Sequence, residues 1–338
     1  MRTPNFEDNL IRVLKGQCPE RATLFEIIID RKFYPILAGH EQETGGELGA
    51  LRFKTEALSK AGYDIAPCYA SNFRICLPKP KKTGASVSLN DNTFINDWES
   101  FEKYPWPDPK DYDTSTLEKI IPYIPEGMKL LCLGPGGVLE NVMDIVGYDN
   151  LCIMLYEEPE LVQTIFDHVG ERIIKYYEAA VGIDSVGVIC SNDDWGFNTQ
   201  TFLSPDNMRK YVFPWHKKIV DLAHKNGKPC MLHSCGNYSQ IIDDVIDDMK
   251  YDGRHSYEDN IIPVEKAYAD LKGRIPVLGG IDLNFLLTKT PNEIYTRCRN
   301  MLDLSKDFGG YALGSGNSIT QHVPIENYLA MLRAAWDV

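Results

Sequence analysis

The 338-residue chain lacks the features that mark several large classes of protein. No apolar run approaches the roughly 20 residues that a membrane-spanning helix needs. No basic stripe is present: the net charge is −13 at pH 7 and the pI is about 5.0, whereas binding to nucleic-acid phosphates needs concentrated positive charge. Residues 1–16 carry too many charges for a signal peptide. We therefore expect a cytoplasmic protein that binds neither membranes nor nucleic acid.

Disulfide spacing and several catalytic motifs are also missing. Most of the nine cysteines lie in apolar, strand-like runs such as LLCLG, NLCIML and GVICS, which favours reduced thiols over a disulfide framework. The chain has neither the G-x-S-x-G elbow of serine hydrolases nor the H-E-x-x-H zinc motif. The GPGG segment at 134–137 lacks both the P-loop lysine and the dinucleotide-binding spacing, so we interpret it as a tight turn.

From about residue 125 onward, short β-rich runs alternate with amphipathic helical stretches. Predicted strands lie at 128–134, 185–191, 228–235, 250–256, 274–282 and 310–317, with TLFEIIID (23–30) as the first. Ser204 and Thr290 are predicted helix N-caps, each followed by a proline, and Pro214 should kink or break its helix. The alternation predicts a (β/α)₈ TIM barrel formed by residues 1–338, and an open doubly wound sheet is the alternative. Residues 63–125 are predicted to be an insertion or cap near the barrel mouth.

Polar side chains follow many of the predicted strands. The carboxyl ends of parallel strands form one mouth in a barrel, so we expect these residues to converge there. For catalysis we select Asp193, Asp194, His255 and Glu258, and for substrate binding Glu26, Trp195, Asp282, Ser315 and Asn317. A neighbouring acid pair such as Asp193 and Asp194 can divide acid and base roles. Alternatively, one acid caps a loop and the other faces water.

The sequence MLHSCGNY contains two metal-ligand types one residue apart, His233 and Cys235. In an extended strand residues i and i+2 point to the same side, so both could bind one zinc ion. Two ligands do not make a site, and packing is the alternative interpretation. A third ligand would have to come from Asp193, Asp194, Glu258 or Cys190.

Most of the chain resembles the uroporphyrinogen decarboxylase superfamily, which also contains cobamide-dependent methyltransferases. The resemblance is carried by the order and spacing of YEEPELV, NDDWGFNTQTFLSP, LHSCGN, HSYED, GGID and GSGNSI…VPIENYLAM. It implies a (β/α)₈ barrel with its active site at the strand carboxyl ends.

The resemblance leaves two activities open. The arginine-rich N-terminal signature of the decarboxylases is absent from RATLFEIIIDRKFYP, which disfavours an octa-acid substrate. The methyltransferase branch implies zinc bound by an H-x-C pair and a later cysteine. His233 and Cys235 match the pair, but Ser315 occupies the later position.

The favoured function is therefore zinc-dependent methyl transfer between a small, methoxylated substrate and the cobalamin of a partner corrinoid protein. A metal-free decarboxylase and a non-catalytic binding protein are the alternatives. The sequence leaves open whether the chain forms a homodimer.

Overall fold

Seven strands form a parallel sheet in sequential order in the computed structural model, which describes residues 2–42, 45–76 and 93–337. The strands are β1 Ile65–Tyr69, β2 Lys129–Leu133, β3 Val186–Asn192, β4 Cys230–His233, β5 Gly253–His255, β6 Val277–Leu278 and β7 Tyr311–Ala312. Helices connect most consecutive strands, as parallel pairing requires.

The α-helices within the described ranges are Arg12–Leu14, Phe33–Ala38, Gly46–Ala61, Trp98–Lys103, Thr116–Lys119, Val138–Val146, Tyr148–Glu157, Pro159–Val181, Pro205–Asn207, Phe213–Lys225, Val264–Leu271, Leu283–Thr288, Pro291–Ser305 and Ile325–Trp336. In the same described ranges, π-helical turns cover Glu7–Ile11, Met208–Val212 and Asp244–Asp248, and 3₁₀ turns cover Pro109–Asp111 and Ile121–Tyr123. None of these helices is long and apolar enough to cross a bilayer.

The sheet is buried on both faces, and its strands alternate between two cores. In β2, Leu131 and Leu133 belong to an inner cluster, while Leu130 and Cys132 pack in the outer core with the helices. The inner cluster also draws side chains from β1, β3, β4, β6 and β7, and from the N-terminal segment through Leu10. A sheet whose strands share one inner core is curled, so this is an α/β fold with a curled parallel sheet.

The predicted first strand does not form as a strand. Residues 23–30 contribute only isolated parallel bridges, Leu24 to Leu313 and Ile29 to Ile319. Phe25 and Ile27 nevertheless join the inner cluster. The segment thus lies beside the chain after β7 without a continuous ladder of hydrogen bonds. The sequence predicted an eight-stranded barrel, and the described residues form a sheet of seven strands.

The prediction that residues 63–125 form a cap or insertion is partly wrong, because β1 lies within that range and pairs with β2. Pro67 obscured this strand in the sequence, because proline has no N–H to donate to a neighbouring strand. The proline is tolerated because β1 is the terminal strand of the seven. Phe101 and Tyr104 are buried in the outer core. Residues 77–92 lie outside the described ranges.

The strand-like pattern of NLCIML at 150–155 was also misleading, because Tyr148–Glu157 is a helix. Short apolar runs fit a buried strand and a helix equally well. The predicted caps are confirmed: Ser204 and Thr290 each accept a backbone N–H, and Thr290 forms a capping box with Glu293. The helical stretch around Pro214 is divided, as predicted. A π turn ends at Val212, and the α-helix that contains Pro214 begins at Phe213.

Candidate metal centre

Three neighbouring strands bring the candidate residues into register. Asn192, His233 and His255 are partners across β3, β4 and β5. The pairing continues beyond the strand ends, where Asp193 N–H donates to the carbonyl of His233 at 3.0 Å. Since extended backbone sends alternate side chains to opposite sides, residues 192 and 194 share one side and residues 193 and 195 share the other.

Asp194, His233 and Cys235 form a cluster that we call the metal cluster. One potential ligand atom from each, a carboxylate oxygen, an imidazole nitrogen and a sulfur, lies within 4.8 Å of the others. All three side chains are partly buried. This mixed set of oxygen, nitrogen and sulfur donors suits Zn²⁺.

The hydrogen bonds of two histidines determine which nitrogen of His233 is available. His255 Nε2 lies 3.1 Å from the carbonyl oxygen of Ser315, which can only accept, so Nε2 carries the proton. Burial lowers the pKa of both histidines, that of His233 to about 4, so both rings are neutral at pH 7. His255 Nδ1 therefore accepts from His233 Nδ1, 2.8 Å away. His233 Nε2 keeps its lone pair and is the nitrogen free to bind a metal.

Cys235 is held by contacts on three sides. Its N–H donates to Asp194 Oδ1 at 2.9 Å, and Asn317 Nδ2 donates to its sulfur at 3.3 Å. Its sulfur also lies 3.7 Å from Ser256 Oγ. Burial raises the pKa of the thiol, and the nearby Asp194 carboxylate raises it further. Without a bound cation the sulfur therefore stays protonated at neutral pH, and a metal would be needed to make it a thiolate.

Asp193, a predicted catalytic acid, lies apart from this cluster and is fully buried. Its two oxygens accept the N–H groups of Leu139 and Glu140, both at 2.9 Å, at the start of the helix Val138–Val146. His216 Nε2 lies 2.9 Å from Oδ2. The helix N-terminus that follows the GPGG turn thus already holds an anion, the carboxylate of Asp193.

Glu26 and Ser315, both predicted to bind substrate, are buried and bind each other. Ser315 donates to Glu26 through its N–H and its hydroxyl, both at 2.6 Å. Burial raises the pKa of Glu26 to about 8, against the opposing effect of these hydrogen bonds. Because the hydroxyl is directed to Glu26 and the carbonyl to His255, Ser315 supports the histidine pair from behind.

Glu258, Asp282 and Asn317 line a pocket of about 520 Å³ beside the metal cluster. Burial raises the pKa of Glu258, and the charges of Asp282 and Asp194 add to this effect. Asp282 also caps the helix Leu283–Thr288 through the N–H of Phe285. No lysine or arginine of the described residues lines this pocket, whose lining includes the acids Glu258, Asp259 and Asp282.

Two further candidates lie away from the cluster. Trp195, predicted to contact substrate, is 1% exposed and packs against Phe213, His216 and Tyr238. Cys190, one of the alternative third ligands, belongs to the inner cluster of the sheet. Trp195 lies on the same side as Asp193, whereas Cys190 lies on the side of Asp194 but further back along β3, in the inner cluster.

The sequence did not single out His216, Ser256 or Glu140. His216 pairs with Asp193, and Ser256 contacts Cys235. Glu140 accepts the N–H of Gly137 at 2.9 Å, and burial with the charges of Asp193 and Asp194 raises its pKa to about 8. For Glu140 a signal existed, because an acid three residues after an N-cap glycine is typical of a helix start.

Comparison with known proteins assigns the family. Residues 81–337 match the model of the uroporphyrinogen decarboxylase (URO-D) family. The chain belongs to this family. The superfamily predicted from the sequence motifs is thereby confirmed.

Named relatives include both activities. A uroporphyrinogen decarboxylase of Synechococcus sp. is 28% identical over 188 residues, 55% of this chain and 50% of that protein. The methylcobamide:CoM methyltransferase MtbA of Methanosarcina acetivorans is 22% identical over 206 residues, 60% of this chain and 56% of that protein. These matches span about half the length of the relatives.

Among solved structures, a methyltransferase from Methanosarcina mazei superposes with a TM-score of 0.71 at 17% identity and covers 99% of both chains. At this identity the likeness concerns the fold alone.

Proposed function

We propose that this protein is a zinc-dependent methyltransferase that moves a methyl group between a small methylated compound and the cobalamin of a partner corrinoid protein. We further infer that the compound is methoxylated. For the fold, we infer that residues 23–27 take the place of an eighth barrel strand. One observation carries the proposal: Asp194, His233 and Cys235 present three different ligand atoms within 4.8 Å.

Asp194 is the candidate for the third metal ligand, the position at which this chain has Ser315 in place of a cysteine. The resemblance gives a cysteine at the position of Ser315, whose hydroxyl is instead bound to Glu26. Asp194 lies on the same side of its strand end as the cluster and also accepts the N–H of Cys235. We infer that its carboxylate replaces the missing thiolate as the third ligand.

The residues present fit a zinc ion by their chemistry. His233 offers a lone pair on Nε2, fixed by His255, and the sulfur of Cys235 has a raised pKa that a cation would lower. When bound, zinc would act as a Lewis acid toward a heteroatom of the substrate. The fourth position would be open to that atom, as in other catalytic zinc sites.

The chain's own residues supply the rest of the proposed chemistry. Glu258 has a raised pKa in the acidic pocket and is suited to hold a proton for a leaving oxygen or nitrogen. Asn317 both lines this pocket and donates to the sulfur of Cys235, so it orients the ligand. His255 is buried and acts through His233 as a positioning residue.

A metal-free decarboxylase is the second candidate, and the decarboxylase names among the relatives favour it. The acidic lining of the pocket at the cluster argues against it, because a porphyrinogen with many carboxylates would be repelled there. A cluster of metal-ligand side chains would also have no role in that reaction.

The proposal is tested with free cob(I)alamin as a surrogate methyl acceptor. Zinc-loaded protein is mixed with methoxylated aromatic donors, and loss of the cob(I)alamin absorbance is followed together with demethylated product. We expect turnover in the wild type and a loss of at least about 100-fold in Cys235→Ala, since one of three ligands is removed.

Asp221→Asn is the matched control, because this exposed acid lies on the helix Phe213–Lys225, away from the cluster. It should keep the wild-type rate. Carbon dioxide release from uroporphyrinogen by the chelated wild type, without any methylation of cobalamin, would instead establish the decarboxylase.

A further inference from the structure

A second pocket, of about 300 Å³, lies on the outer side of the sheet between the loop after β4 and the helix Val264–Leu271. Its walls are largely apolar and include Ile242, Ile261 and Leu271. It adjoins the surroundings of the metal cluster, because Ser256 lines it and also lies 3.7 Å from the sulfur of Cys235, and because Tyr257 and Glu258 line both this pocket and the one beside the cluster. We call it the Arg254 pocket.

Arg254 lines this pocket from the middle of β5 and is only 5% exposed. Its neighbour His255 faces the metal cluster, so alternation turns Arg254 to the outer side. The guanidinium carbon lies 3.6 Å from the ring centre of Tyr238 and 4.6 Å from that of Tyr257. The flat cation is thus held against two aromatic rings.

Within the described part of the chain Arg254 has no acidic partner, unlike other arginines of the same region. Arg297 binds Asp259 and Glu265 through its guanidinium nitrogens at 2.6–3.0 Å. None of the ion pairs formed by the described residues includes Arg254, and its Nε is buried without a hydrogen-bond partner. The hydroxyl of Tyr257, on the same pocket wall, is also buried, and among the described residues its hydrogen-bonding neighbour is the Arg254 guanidinium itself.

A guanidinium keeps its proton under all ordinary conditions, so burial cannot be relieved by neutralisation. Aromatic faces compensate only part of the cost of removing the charge from water. An anion that enters the pocket would supply further compensation. A planar carboxylate matches the fork of donors on arginine and could also accept from Tyr257.

We propose that the Arg254 pocket binds a small organic carboxylate with an apolar body. The apolar walls fit the body, and the single unpaired cation fits one negative charge. Glu258 and Asp270 also line the pocket and would repel a doubly charged phosphate ester. The proposal does not depend on the bound metal, because Arg254 faces away from the cluster.

The test is calorimetric titration of the full-length protein with benzoate, benzamide and phenyl phosphate. We expect benzoate to bind at one site, and benzamide and phenyl phosphate at least about tenfold more weakly, since only benzoate offers one negative charge on an apolar ring. Benzoate should bind equally in the wild type and in Cys235→Ala, which excludes binding to a metal at the cluster.

Arg254→Met should weaken benzoate binding at least about tenfold, which corresponds to about 1.4 kcal/mol. Arg274→Met is the matched control: Arg274 lines the same pocket but already binds Asp243 at 2.6 Å, so benzoate affinity should be unchanged. If Arg254→Met does not fold, Ile242→Trp fills the pocket while Arg254 itself is kept, and it should abolish binding. Equal affinity for benzoate and benzamide, tighter binding of phenyl phosphate, or no benzoate binding would each overturn the proposal.

Discussion

Two adjacent aspartates at the end of β3 lie in opposite environments. Asp193 belongs to what we call the helix-cap site, formed with the N–H groups of Leu139 and Glu140 and with His216. Asp194 belongs to the metal cluster with His233 and Cys235. The first carboxylate is fully buried, while the second is partly exposed.

The difference lies in how much binding capacity each carboxylate has left. Both oxygens of Asp193 are occupied, and its three partners leave no room for a ligand. Asp194 accepts one N–H, from Cys235, and keeps lone pairs directed toward two other metal-ligand side chains. A carboxylate with unused lone pairs, such as that of Asp194, can bind a metal or a substrate. A carboxylate whose oxygens are all hydrogen-bonded within the protein, such as that of Asp193, stabilises the fold.

Breaking the helix-cap site should have the largest effect on stability. Asp193→Ala leaves the buried His216 and two helix N–H groups without their acceptor, so we expect the free energy of unfolding to fall by about 3–5 kcal/mol. Urea denaturation with circular dichroism measures this. Asp194→Ala is the comparison and should cost less than about 1 kcal/mol in the metal-free protein. Equal losses in both variants would contradict the contrast between the two sites.

A smaller effect is expected from crowding the helix-cap site at Gly137. A Cβ there would lie 1.9 Å from Asp193 Oδ1, so the carboxylate must shift from the helix N-terminus. Gly137→Ala should therefore lower the free energy of unfolding by about 1–3 kcal/mol. Gly182→Ala is the matched control, because nothing lies within 4 Å of its added Cβ. If the two variants unfold at the same urea concentration, the close packing around Asp193 does not contribute to stability.

The metal cluster should respond in metal affinity rather than in stability. His255→Gln replaces the rigid imidazole acceptor of the His233 N–H by a flexible amide, so we expect zinc affinity to fall about 10–100-fold. Competition with a coloured chelator measures the affinity. His224→Gln, at an exposed histidine bound to Asp252, should leave it unchanged. Unchanged affinity in His255→Gln would show that the histidine pair does not orient the ligand.

Sequence patterns located the cluster because the carboxyl ends of parallel strands must meet. The i, i+2 spacing predicted that His233 and Cys235 would lie together, and their ligand atoms lie within 4.8 Å at the end of β4. Which of Asp193 and Asp194 would join the cluster could not be foreseen, because it depends on how the backbone after β3 stays extended along β4. Without that register, either acid could have faced the mouth.

The fold was predictable where periodicity was strong and capping residues were present, as at Thr290. It was not predictable where a short run fitted two structures, as at residues 150–155, or where a proline obscured the strand β1. The Arg254 pocket carried no sequence signal, since an arginine in a strand gives no indication that its counter-charge is missing.

X-ray absorption at the zinc edge of zinc-loaded protein tests the central claim most directly. We predict about one zinc per chain, with one sulfur, one imidazole nitrogen and carboxylate oxygen among its ligands. In Asp194→Asn the oxygen contribution should change and the affinity should fall. A spectrum without sulfur, or one that Asp194→Asn leaves identical, would contradict the assignment of Asp194, His233 and Cys235 as a metal site.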